Sequence, residues 1–354
     1  MHLRHILPAA LVAFTLTLAA PAYAADPVFP AASRVGLAVP AGFTPRRCCG
    51  TLEHMYKLLV VAMLGGGAAA AQQQAQKPLE RLEANILRIT RSVNATWGIY
   101  LKCLETGEEI ALNADQQMDT MSVIKIPLMV EAFRQIEEGK FALTDRITLT
   151  DAMKRPGTGI IRSLDAEAVL TVKDMLTLMI IVSDNTATDV MYDKVGGIEP
   201  VNRLMTSYGF KSIKATGTAD TWFKAIAASP NRDQFHLEAK SPFGLSSPRE
   251  MGKLLEKIEK GEAVSKKASE QMLQMMRGQV YSSRLPKYVT GFRVPHKTGD
   301  FLPYIGNDVG ILESRGRNVV LSVFTARHFG VGTQLEDAIG RVAELVGNYF
   351  ASRE

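Results

Sequence analysis

Cysteine is scarce in this 354-residue chain, with three in all, and two of them, Cys48 and Cys49, are adjacent. Three cysteines cannot all pair, so no disulfide framework holds the fold. Cys103 alone lies in a segment that reads as folded. It reads as a small core residue of a Trp97 to Leu104 strand rather than a nucleophile. The six histidines are scattered. After the leader there is no H-x-x-x-H and no Cys/His cluster at ligand spacing, so neither a metal nor a cofactor is expected. Long apolar runs are missing too. The stretch Leu58 to Ala71 is roughly fourteen residues, short of the ~20 needed to span a bilayer, so no membrane span is expected in the mature protein. Nor does any basic block stand apart. The net charge of +5 and the pI near 9.0 come from lysines and arginines interleaved with acids, which argues against nucleic-acid binding. There is no internal repeat, and Gly65 to Gln76 is the one low-complexity stretch. What remains, 46% hydrophobic and 22% charged, is the balance of a globular chain that can bury a core.

The beginning of the chain carries export signals. Arg4, an apolar run from Ile6 to Ala20 and Ala22-Tyr23-Ala24 before Ala25 have the form of a signal peptide over 1–24. A second such pattern starts at Met55-Tyr56-Lys57 and runs through Leu58 to Ala71. Residues 1–54 are therefore either a true leader or an over-extended start that precedes the real signal at 55–71. Either way, 25–77 reads as leader and low-complexity sequence, and the domain at 78–354 is expected outside the cytoplasm, periplasmic or secreted.

Leu79, Leu82, Ile86, Ile89 and Val93 recur at steps of three and four, which predicts a helix over 78–94 that needs a sheet to lie on. Trp97 to Leu104 and Glu109 to Leu112, around Glu105-Thr106-Gly107, read as a hairpin. Asp308 to Glu313 and Asn318 to Ala326, around Ser314-Arg315-Gly316, read as another. A closing helix from Gln334 to Phe350 puts Leu335, Ile339, Val342 and Val346 on one face. The middle, from about 123 to 275, reads as mainly helical. In it Thr171 and Asp174 mark the start of an apolar helix over Val172 to Val182, and Ser247-Pro248-Arg249-Glu250 is a capping box with proline at the first helical position. The economical topology is α/β (α+β), an antiparallel sheet built from both chain ends with flanking helices and an inserted all-helical part. The sheet part is expected at 78–117 and 276–354, and the helical part at 118–275.

Three short motifs bear chemistry. Ser122-Val123-Ile124-Lys125 opens a helical run, so serine and lysine share one face at a helix N-terminus. A serine hydroxyl becomes a good nucleophile when a base takes its proton, and a lysine is such a base when desolvation or a second cation lowers its pKa. Alone the match is weak, since S-x-x-K turns up about once by chance in a chain this long. Ser183-Asp184-Asn185 follows the apolar helix and offers a hydroxyl to relay a proton and a carboxamide to hold a substrate amide. It also reads as a polar turn capping Thr186 to Tyr192. His296-Lys297-Thr298-Gly299 precedes Asp300 on a strand. Its lysine is a fixed charge for a substrate carboxylate, its threonine a donor, and its glycine room for a substrate backbone against the strand edge.

In this order and at these separations, S-x-x-K, S-D-N and K-T-G resemble the signature of class A β-lactamases and related penicillin-binding proteins. The likeness runs over about 78–354 and includes the Gly196-Gly197 turn and the Leu245-Ser246-Ser247-Pro248 helix start. It implies a β-lactamase/transpeptidase-like fold with no cofactor and no metal. It makes Ser122 the acyl-ester nucleophile, Lys125 its proton partner, Ser183 the relay and Asn185 a substrate-amide contact. Lys297, Thr298 and Gly299 become the carboxylate-binding strand, and the backbone amides of Ser122 and Asp300 the oxyanion hole. The implied activity is β-lactam hydrolysis through an acyl-enzyme. A D-alanyl-D-alanine carboxypeptidase acting on peptidoglycan stem peptides is the alternative, and a non-catalytic β-lactam or peptidoglycan sensor a third reading. A monomer is the expected state.

One family motif is missing from its place, the E-x-x-L-N whose glutamate activates the deacylating water. Glu109-Ile110-Ala111-Leu112-Asn113 matches it literally but precedes Ser122 in a predicted strand and reads as coincidence. In the right region, spacing favours Asp220 and side-chain reach favours Glu238, but neither is followed by an asparagine in the family's spacing, and each reads more readily as an exposed loop carboxylate.

Overall fold

The computed structural model describes residues 78–229 and 243–352. The leader readings and Glu238 lie outside the described residues.

Nine helices and ten strands occur among the described residues: α1 (Pro78–Ser92), β1 (Thr96–Cys103), β2 (Glu109–Leu112), β3 (Met118–Asp119), α2 (Lys125–Glu137), β4 (Arg146–Thr148), β5 (Val169–Thr171), α3 (Val172–Ile181), α4 (Asn185–Val195), α5 (Ile198–Ser207), β6 (Lys214–Ala215), α6 (Ala219–Ala228), β7 (Gly244–Ser246), α7 (Pro248–Glu259), α8 (Lys266–Arg277), β8 (His296–Phe301), β9 (Ile305–Glu313), β10 (Asn318–Ala326) and α9 (Gly332–Ala351). None of the described helices is long and apolar enough to cross a membrane.

The main sheet has the antiparallel order β2-β1-β10-β9-β8, so the two ends of the domain meet where β1 pairs β10. Side chains alternate across β1. Ile99 and Leu101 join Leu82 and Ile86 of α1 and Ile339, Val342 and Val346 of α9 in one apolar layer. Tyr100 points to the opposite face, where α7 crosses the sheet. Every residue of β9 is buried, as a central strand covered on both faces requires. Cys103 is a free, buried thiol at the end of β1, in line with its reading as core. A second apolar core, with Met129, Phe133, Met175, Met179, Met191 and Met205, gathers the helices of the middle segment.

Two features of the middle differ from the sequence reading. First, α7 packs against β1 and β10 rather than only among helices. Second, its capping box is half made. Ser247 Oγ accepts from the Glu250 N–H at 3.3 Å, but the Glu250 carboxylate does not return to the Ser247 N–H. It accepts instead from the N–H groups of Lys211, Ser212 and Ile213 at 2.9, 2.7 and 3.2 Å. Three backbone donors of a distant loop outcompete one local donor for a single carboxylate, and the motif becomes a tertiary anchor. At the start of α3 nothing competes, and Thr171 and Asp174 form the full reciprocal box.

The α7 crossing depends on Gly252. A Cβ there would enter the Tyr100 ring, 2.9 Å from Cε1, and Tyr100 is itself buried. Glycine to alanine inside a helix normally stabilises by about 1 kcal/mol. Here the sign reverses: Gly252→Ala is expected to lower stability by about 2 kcal/mol through overpacking, read as a lower urea midpoint. An unchanged or raised midpoint would show that the α7–sheet contact is looser than described.

Candidate active site

Ser122 sits in a 3-10 turn, Met121–Ile124, that feeds directly into α2 at Lys125. Three residues make one 3-10 turn, so Ser122 and Lys125 fall on the same side of the chain. Met121, just before the serine, has φ of 47°, a left-handed conformation that needs outside support. The half-buried Asp119 supplies it, its carboxylate accepting from the Met121 N–H at 2.8 Å. Burial pushes the Asp119 carboxyl up to about 7, against the pull of backbone donors at Met121, Gly244 and Phe243.

Lys125 is fully buried. Its Nζ donates to the Ser183 backbone O at 2.7 Å and to Asn185 Oδ1 at 3.0 Å, and lies 3.0 Å from Ser183 Oγ. Desolvation, then the neighbouring Lys297, hold its pKa well below the usual lysine value, while Asp184, Asp189 and Asp300 act the other way.

Ser183 has φ of 54° in the turn between α3 and α4, so the turn presents both its carbonyl and its hydroxyl to Lys125. Asp184 is the N-cap of α4, and α4 begins at Asn185 rather than Thr186. One Asp184 oxygen accepts from Ala187 N–H at 2.9 Å, and the other from the N–H groups of Ile160 and Ile161 at 2.7 and 2.8 Å. Asn185 Nδ2 donates to Pro156 O at 3.0 Å, and Thr158 Oγ1 to Ser183 O at 2.7 Å. The loop at 156–161 is thereby sewn onto the serine turn. These loop partners left no mark in the sequence, because they join residues more than twenty positions apart through backbone atoms.

On β8, His296, Lys297, Thr298 and Gly299 are all buried. Lys297 Nζ donates to Thr298 O at 2.8 Å, and burial, then Arg284, bring its pKa down to about 7 against the opposing pull of Asp300 and Asp308. Thr298 Oγ1 is buried without a hydrogen-bond partner. Gly299 has a structural role that its place in the motif did not show. A Cβ at this position would collide with Thr120 O and lie 3.1 Å from Ser122 N, so the glycine lets β8 close on the serine's own turn. Asp300 pairs with the buried Arg284. Burial raises its carboxyl above the usual range, with Arg284 and Lys297 opposing.

These elements enclose a cleft of about 220 Å³. Ser122, Ser183, Asn185 and Asp300 line it together with Gly157 and Thr158, and among the described residues Met121, Ala219, Trp222, Phe223, Phe243 and Phe301 also form its wall. Of the two proposed water-activating carboxylates, Asp220 is not in that wall. It opens α6 facing solvent, bonded to Lys224 at 2.6 Å, which holds its carboxyl below the usual range. Spacing had favoured it. The helix, however, turns Ala219, Trp222 and Phe223 toward the cleft, while Asp189 Oδ1 and Oδ2 hold the N–H groups of Ala219 and Asp220 at 2.7 and 2.9 Å. Glu109 lies in β2 as expected, bonded by Tyr100 Oη at 2.9 Å and ion-paired with Arg249. No metal-binding cluster occurs among the described residues.

A serine and a buried lysine joined to a second serine, between a helical layer and an antiparallel sheet made from both chain ends, define a serine hydrolase of the β-lactamase and transpeptidase fold. The model of the beta-lactamase enzyme family matches residues 81–350, and the chain belongs to that family. Among curated relatives, β-lactamase VEB-1 of Pseudomonas aeruginosa is 23% identical over 290 residues, covering 77% of this chain and 92% of VEB-1. A β-lactamase structure from Sphaerobacter thermophilus is 29% identical with TM-score 0.65, covering 75% of this chain and 94% of that one. A penicillin G acyl-enzyme of a PBP-A mutant is 25% identical with TM-score 0.65, covering 77% and 97%.

The contact at Gly299 yields a test. Gly299→Ala is expected to push β8 away from the Thr120–Val123 turn and lower kcat/KM for β-lactam hydrolysis at least about 100-fold. A kcat/KM within about threefold of wild type would show that the close approach is not needed.

Proposed function

We propose that the protein is an exported class A-like β-lactamase that opens the β-lactam amide through an acyl-enzyme on Ser122. The observation that carries this reading is the hydrogen bonding of Lys125. Two of its three partners, Ser183 O and Asn185 Oδ1, can only accept. A neutral amine has two protons for them and keeps a lone pair for a hydroxyl. Burial and Lys297 favour that neutral form. In it Lys125 takes the Ser122 proton as Oγ attacks the lactam carbonyl, and the N–H groups of Ser122 and Asp300 hold the oxyanion, each worth about 10² to 10³ in rate. Ser183, bonded to Lys125, delivers the proton to the departing ring nitrogen. Asn185 holds the substrate's side-chain amide, and Lys297 with the unpartnered Thr298 hydroxyl takes its carboxylate.

Deacylation falls to Glu238 or to Lys125, since Asp220 is tied to Lys224. The D-alanyl-D-alanine carboxypeptidase reading draws support from the likeness to PBP-A and from the apolar wall that Ala219, Trp222 and Phe223 present. With a chromogenic cephalosporin, sustained turnover is expected. One equivalent released and then silence would favour the peptidase.

Ser122→Ala is expected to abolish the covalent penicillin adduct in intact mass spectra, and a surviving adduct would remove Ser122 from its role. Asp220→Asn should change turnover less than about threefold. Glu238→Gln decides the base: an accumulating acyl-enzyme assigns Glu238, and unchanged turnover assigns Lys125. The pH profile follows from Lys297. Its charged form binds the carboxylate and is lost as pH rises through about 7, so kcat/KM should fall on the alkaline side. A profile flat to about pH 9 would exclude Lys297 from recognition.

A further inference from the structure

Asp300 lies two residues beyond Thr298, on the same face of β8. It lines the cleft beside Ser122, Ser183 and Asn185, and its side chain is 36% exposed. The Arg284 guanidinium that it pairs with is 3% exposed and held from other sides as well. One of its nitrogens donates to Asn307 O at 2.9 Å, another to Glu336 Oε1 at 3.1 Å. A guanidinium bound this way stays where it is and does not reach into the cleft for a ligand. Its charge is already met by Asp300 and Glu336, with Asp308 close enough to add to them. Asp308 in turn bonds the His296 ring at 2.9 Å. Behind the cleft edge, two cations, Arg284 and Lys297, therefore face three carboxylates, Asp300, Asp308 and Glu336. Of the three carboxylates Asp300 is the one in the cleft wall.

We propose that Asp300 is a specificity-determining residue that gives the cleft edge a preference for cationic substituents, so that zwitterionic β-lactams are turned over in preference to analogues whose substituent is uncharged. The proposal rests on β-lactam hydrolysis at Ser122 and names the substrate class within it. A carboxylate held at the wall attracts a positive group across a short, partly desolvated gap, where one unit charge is worth roughly tenfold in rate or affinity. Because both kinds of substrate keep the ring carboxylate that meets Lys297, the state of Lys297 cancels in their ratio.

The test uses two cephalosporins with the same thienylacetamido side chain. One carries an acetoxymethyl group and the other a pyridiniomethyl group at the ring. The readout is the ratio of kcat/KM, cationic over uncharged. Asp300→Asn is expected to lower this ratio about tenfold relative to wild type, and Asp300→Glu to retain most of it. In wild type, raising NaCl from 0.05 to about 1 M should lower the ratio as well, a readout that needs no variant to fold. A ratio unchanged both in Asp300→Asn and by salt overturns the proposal. Ser122→Ala separates the two levels. If that variant loses hydrolysis of both cephalosporins and the wild-type ratio does not move, this proposal alone fails; if Ser122→Ala still hydrolyses them at the wild-type rate, hydrolysis at Ser122 fails and takes this proposal with it.

Discussion

Lys125 is buried in the middle of the molecule, and its amine is bonded to the turn between α3 and α4 at two oxygens that can only accept. Much of the site hangs on that connection. It fixes α2, and with it Ser122, against Ser183 and Asn185. It also requires the loop at 156–161 to lie where Thr158, Pro156 and the Ile160 and Ile161 amides complete the turn's remaining hydrogen bonds. An unpaired buried amine would be costly, and this one is kept by bonds that survive the loss of its charge.

From the other side, β8 closes on the serine turn through Gly299, and the two lysines approach each other without an intervening carboxylate bonded to either. Each therefore lowers its own need for a proton through burial, and Lys297 lowers that of Lys125 further. The carboxylates that balance them stand one layer back: Asp184 serves backbone amides, Asp308 the His296 ring, and Asp300 Arg284. This separation of tasks leaves an amine beside the serine and a positive charge farther along the strand, which is what acyl transfer to a hydroxyl and capture of an anion ask for.

The helix and strand order, both hairpins and the joining of the chain's ends in one sheet were legible in periodicity and turn residues, because those signals are local. Asp220 and Glu250 meet the same limit: spacing along the chain says where a carboxylate stands but not which donors compete for it. Asp220 meets Lys224 one turn away, and Glu250 meets three amides of a loop some 38 residues upstream. Asp119, Asp189 and Arg284 carried no motif, since their partners are backbone atoms or residues brought near only by folding.

The sequence by itself determined the family, the three motifs and the pairing of Ser122 with Lys125, because a three-residue step in a helical turn puts both side chains on one side whatever surrounds them. The tertiary structure alone decided that Lys125 is fully buried beside a second lysine, that Gly299 makes room for the serine's own turn, and that Asp300 stands in the cleft wall against Arg284. Burial, close approach and the competition of distant donors for one carboxylate depend on which surfaces meet, and linear spacing holds no record of that.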